Sequence, residues 1–76
     1  MRPMNPIISF RESLGLERLA FAKRFGLPYS SYANLELGYP DAIPPKAKRA
    51  LTKAGADPEA LDRLYRAWRA NGLGSA

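Results

Sequence analysis

The sequence predicts an all-α, compact domain of five short helices. Three observations carry this. Apolar residues recur at three- and four-residue spacing in five successive segments. Glycine closes most of those segments and proline opens several. Residues that favour strands are few, because β-branched side chains are sparse.

The elements follow in order. Residues 1–6 (MRPMNP) carry two prolines and no periodicity, and read as a flexible arm. Asn5 and Pro6 suit a cap and first turn for a helix over about 7–14, with Ile7, Phe10 and Leu14 on one face and Gly15 as its stop. The second helix carries Leu19, Ala22 and Phe25 on one face, with Phe21 adjacent. Lys23 and Arg24 near its end suit the helix dipole, and Gly26 closes it. Leu27-Pro28 restarts the chain into a third helix over about 28–37, with Tyr32 and Leu35 inward and Gly38 after it. Pro44-Pro45 opens a fourth, running to about Ala54 with an apolar stripe of Ala47, Ala50, Leu51 and Ala54. Asp57-Pro58-Glu59 is the clearest helix start. It begins a fifth helix with a single apolar stripe of Leu61, Leu64, Tyr65 and Trp68, of which Leu61 and Leu64 are expected to close the core. Asp62→Arg66 and Glu59→Arg63 are pairs four apart with the acid first. The folded domain is expected over 7–71, with a frayed tail over 72–76.

Composition excludes much chemistry. The 76 residues make one domain at most, and the chain contains neither cysteine nor histidine. No disulfide or thiolate metal site is available, and the commonest general base and metal ligand are both missing. Carboxylates do not cluster in the sequence, so an enzyme is not expected, nor a metal or cofactor. Lysine and arginine number 12 against 7 acids, a net charge of +5 that favours polyanionic partners and also serves plain solubility. No apolar run approaches the ~20 residues of a membrane span, so a cytoplasmic protein is expected.

The segment 16–38 organises the rest. A helix-turn-helix needs a small residue where its helices touch, a tight turn with glycine, and a short following helix. Ala22, Gly26 and residues 28–37 meet those demands. An ordinary small bundle meets them too, since it also ends helices with glycine.

Further residues carry a family likeness. Leu14-Gly15-Leu16, Ala22, Gly26, Leu35-Glu36 and Gly38 resemble the Cro and phage-repressor type of helix-turn-helix domain, often called the XRE family. The family pattern of L-G-L, then L-A, then G, then L-E-x-G reads here as LGL, FA, FG and LELG at matching intervals, between Phe10 and about Gly55. Arg11 and Glu36 stand where that family pairs an arginine of its first helix with the glutamate of L-E-x-G.

The resemblance implies a repressor-like regulator of transcription that places residues 28–37 in the major groove of double-stranded DNA. Tyr29, Ser30 and Ala33 stand where the family reads base edges, and Asn34 completes that uncharged face. Ser31, with Asn34, would lie beside backbone phosphates. Arg18 occupies a phosphate-contacting position, while Glu17 replaces the usual Ser or Asn cap. Lys23, Arg24, Lys46, Lys48 and Arg49 are the other candidate phosphate contacts. Family members dimerise through the end of the domain, which makes Tyr65 and Trp68 candidates for a homodimer interface. The recognition helix carries no lysine or arginine, and Leu37 and Tyr39 are apolar for a phosphate-facing rim. Both features fit an alternative, a module on the same scaffold that binds another regulatory protein.

Overall fold

In the computed structural model, which describes residues 4–72, the chain forms α1 (Pro6–Ser13), α2 (Arg18–Arg24), α3 (Tyr29–Leu37), α4 (Pro45–Lys53) and α5 (Pro58–Gly72). No strand occurs among the described residues. The all-α, five-helix class expected from the periodicity is therefore the observed one. Of the expected arm over 1–6 and frayed tail over 72–76, residues 1–3 and 73–76 lie outside the described residues, and residue 72 is the last of α5.

One core serves all five helices. Ile7, Phe21, Tyr32, Leu35, Leu51 and Tyr65 are its largest fully buried side chains. Phe21 sits at its centre. Its ring stacks on Tyr32 at 5.0 Å, tilts against Phe25 at 4.8 Å, and meets Phe10 edge-on at 6.5 Å. Ala22 is buried between α2 and its neighbours, where a larger side chain would hold them apart.

The turn joining α2 to α3 depends on Gly26. Its φ of +76° is a left-handed conformation that a side chain disfavours. That conformation lets the Leu27 amide donate to the Ala22 carbonyl at 2.9 Å, which closes the helix end. Leu27 is buried immediately after, so α3 leaves at a fixed angle.

Residues 5 and 6 of the expected arm over 1–6 belong to the start of α1. Asn5 caps α1 through a bond from the Ile7 amide at 2.9 Å, and α1 begins at Pro6. The Asn5 amide also donates to the carbonyls of Leu35 at 3.1 Å and Glu36 at 3.0 Å. One buried side chain thus starts α1 and satisfies the end of α3.

Two apolar stripes differ from their sequence reading. Leu19 and Leu64 are about half exposed. In α2 the inward face is Phe21, Ala22 and Phe25, which leaves Leu19 near the edge. In α5 the inward face leans from Leu61 and Tyr65 toward Asp62, away from Leu64. Asp62 turns the helix this way by accepting the Ile43 amide at 2.8 Å. No helix of the described residues is long and apolar enough to cross a membrane.

Candidate nucleic-acid interface

The inward side of α3 consists of Tyr32, Leu35 and Glu36. A helix turns about 100° per residue, so Ser30, Asn34 and Leu37 fall on the opposite side. All three are exposed. Tyr29 is exposed at the start of the helix, Ser31 is exposed on one flank, and Ala33 is half-buried. Of the four residues expected to read bases, Ser30 and Asn34 thus lie on the outermost stripe with Leu37, while Tyr29 and the half-buried Ala33 lie on the other flank of it.

Behind that face lies an ion cluster. The Arg11 Nε donates to Glu36 Oε2 at 2.6 Å, and a second Arg11 nitrogen donates to the Leu16 carbonyl at 2.8 Å. The expected Arg11–Glu36 partners are therefore in contact, with side-chain exposures of 12% and 1%. Arg18 is the addition that sequence did not suggest. Its Nε donates to Glu36 Oε1 at 3.0 Å, so two guanidinium groups share one buried carboxylate. Hydrogen bonding to Tyr29, then to Glu36, raises the Arg18 pKa above its ordinary value. Arg18 was expected to meet a phosphate directly. In the structure it ties α2 to α3 and reaches toward Tyr29.

Tyr32 adds an unsatisfied polar group to this cluster. Its hydroxyl is buried and satisfies hydrogen-bond geometry with no partner among the described residues, although Glu36 and Arg11 are close enough to influence it. Burial pushes the phenol pKa up, the Glu36 carboxylate adds to the rise, and Arg11 opposes it. A phenol whose folded pKa exceeds its unfolded value of about 10 contributes stability that is intact below that pH and lost above it. Tyr32→Phe is expected to be neutral or stabilising by about 1 kcal/mol at pH 7, since it removes an unsatisfied buried group. The same change should flatten the loss of stability above pH ~10, as read from denaturant titrations at successive pH values. A steeper alkaline loss in Tyr32→Phe would refute this account.

The candidate phosphate contacts separate into groups. Lys46 and Ser31 line a cleft of about 190 Å³ between α3 and the start of α4, floored by Leu27, Tyr32, Pro44 and Ala47. Lys23 and Arg49 are exposed and form no ion pair among the described residues. Lys48 differs from expectation. Its ammonium lies 3.2 Å from Glu59 and 3.8 Å from Asp62, so its charge is largely met by α5. Glu59 is accordingly drawn to α4. Arg24 lies over the Phe25 ring at 5.8 Å and helps line a second cleft, with Leu14, Leu16 and Lys53.

The expected interface residues also divide. Tyr65 is fully buried and donates its hydroxyl to the Pro40 carbonyl at 2.7 Å, so it belongs to the protomer's own core. Its position four residues after Leu61 puts it on the inward stripe, which size alone could not reveal. Trp68 is half-buried, with its ring 6.0 Å from that of Tyr65. Sequence reasoning also missed the Asn5 clamp and the buried Asp62. Both residues were read as local features, a cap and a helix-surface pair, and their long-range partners left no local signal.

Comparison with known protein families, with curated proteins and with solved structures finds no match.

Proposed function

We propose that the chain is a DNA-binding regulator of transcription of the Cro and phage-repressor helix-turn-helix type, acting in the cytoplasm by occupying duplex DNA. One observation carries the reading. α3 presents Ser30 and Asn34 to solvent as hydrogen-bonding groups, beside Leu37, while its opposite side is held by the buried Glu36 and two arginines. A groove-binding helix needs both properties: a surface free to meet base edges, and a fixed orientation. Lys23, Lys46 and Arg49 supply exposed positive charge to neutralise phosphates. Ser31, beside Lys46, can donate its hydroxyl to a phosphate oxygen.

The test is fluorescence anisotropy with random-sequence duplex DNA at several salt concentrations. Binding is expected at low salt. Three neutralised phosphates per protomer give a slope of log K against log salt of about −3, doubled in a dimer. Absence of binding at micromolar protein and low salt would refute the proposal. Ser30→Glu places a carboxylate on the outermost stripe of α3, so it should abolish binding and leave the melting temperature nearly unchanged. Retained affinity would show that this face is not the DNA contact.

Dimerisation is proposed through α5, around Trp68 and the exposed Leu64. Trp68→Ala should then shift sedimentation toward monomer, and a monomeric wild-type chain would remove the dimer from the proposal. The second reading, a protein-binding module, is favoured by Leu37 at 51% and Tyr39 at 66% exposure. It becomes the better account if the chain fails to bind every duplex.

A further inference from the structure

We infer that the direct readout by α3 is of A·T pairs, with Asn34 as the specificity-determining residue and Ala33 and Leu37 as contacts to thymine methyl groups. The inference rests on the DNA-binding reading above and deepens it.

Ser30, Asn34 and Leu37 form the outermost stripe, with Ala33 beside it. The side-chain groups available there are a hydroxyl, a carboxamide, a branched alkyl group and a methyl. Each matches the major-groove edges unequally. A carboxamide pairs in two places with adenine: its oxygen accepts from N6 and its nitrogen donates to N7. The Asn34 carboxamide is exposed and has no hydrogen-bond partner among the described residues, so it is free to do this. Apolar carbon favours the thymine C5-methyl, which no G·C pair offers. Asn34 and Leu37, three residues apart on the outer stripe, thus suit an adenine and a neighbouring thymine methyl, with Ala33 at the edge of the stripe. Serine at position 30 tolerates several bases and adds little discrimination.

Guanine recognition is disfavoured by the same surface. Its usual partner is a guanidinium or ammonium group reaching O6 and N7. α3 carries neither. Arg18, the guanidinium nearest the start of α3 in this cluster, is committed to the buried Glu36 at 3.0 Å. Releasing it would leave part of a buried carboxylate's charge unmet. Lys46 stands on the flank, across the Ser31 cleft, rather than on the outer stripe. No group on the stripe is anionic either, so the cytosine N4 donor gains no charged acceptor.

The experiment compares the full chain against duplexes of about 20 base pairs at one low salt concentration: mixed-order A·T, mixed-order G·C, and two modified A·T duplexes. In one, uracil replaces thymine and removes the C5-methyl. In the other, 7-deazaadenine replaces adenine and removes the N7 acceptor. The A·T duplex is expected to bind about tenfold or more tightly than G·C. Each modification should lower that ratio severalfold. Asn34→Ala should lower the ratio severalfold without weakening the G·C complex and make it insensitive to 7-deazaadenine while the uracil effect persists, and a thermal melt checks that it remains folded. Equal or tighter binding to G·C would overturn the inference while leaving DNA binding intact. So would a preference that survives both modifications, because it would then come from minor-groove shape. Failure to bind any duplex would instead overturn the DNA-binding reading on which the inference rests.

Discussion

Glu36→Ala is expected to destabilise the fold by about 3 kcal/mol, or roughly 12–24 °C in melting temperature for a domain of this size. The Glu36 side chain is 1% exposed and accepts from Arg11 at 2.6 Å and Arg18 at 3.0 Å. Removing it leaves Arg11, itself 12% exposed, without its counter-charge. Loss of one partner from a buried pair costs more than the pair's net contribution, because desolvation is then uncompensated. The lower end of the usual range applies because Arg18 is 42% exposed and water screens it. Glu36→Gln keeps the volume and one acceptor, so it should lose about half as much. Calorimetry or circular dichroism melts provide the reading. A Glu36→Ala protein that melts within a few degrees of wild type would show that the cluster is not a structural tie.

Asn5→Asp is the second large effect, and it isolates a different tie. At an ordinary N-cap, Asp and Asn are nearly equivalent. Here the Asn5 oxygen caps α1, while its nitrogen donates to the Leu35 and Glu36 carbonyls. Aspartate preserves the cap and turns the two donated bonds into oxygen facing oxygen. The expected loss is about 3 kcal/mol, from two buried bonds broken and a carboxylate oxygen set against both carbonyls, of which, among the described residues, only that of Leu35 keeps another donor, the Gly38 amide at 3.2 Å. Asn5→Ala should cost about as much, since it loses the cap as well but adds no repulsion. Urea titration measures both. If Asn5→Asp matched wild type, the bonds to α3 would contribute nothing and Asn5 would be only a cap. Both Asn5 and Glu36 grip the C-terminal end of α3. Under the proposed function, either substitution should therefore also weaken DNA binding.

Local patterns made most of the fold legible. Asn5-Pro6, Gly26, Gly38, Pro44-Pro45 and Asp57-Pro58 mark helix ends through the chemistry of their own backbones, and the five helices fall between them. The stripe of Ala47, Ala50 and Leu51 in α4 is buried as its spacing indicates. The inward faces of α2 and α5 were less readable. Leu19 and Leu64 match an apolar template, yet Phe21 and Asp62 decide which way each helix faces, because their partners lie on other elements.

The candidate site divides in the same way. The identities on the outer side of α3 are a matter of sequence, and so is their lack of charge. The Arg11–Glu36 contact was suggested only through a family resemblance. That Arg18 joins it, that Lys48 is met by Glu59, and that Tyr65 is sealed inside the protomer are tertiary facts. Sequence by itself determined the helices and the uncharged outward chemistry of α3, because capping and periodicity act within a few residues. Only the tertiary structure decided which charges remain free and which large side chains are covered. Those outcomes depend on groups 11 to 25 residues apart, brought together by the packing of the helices.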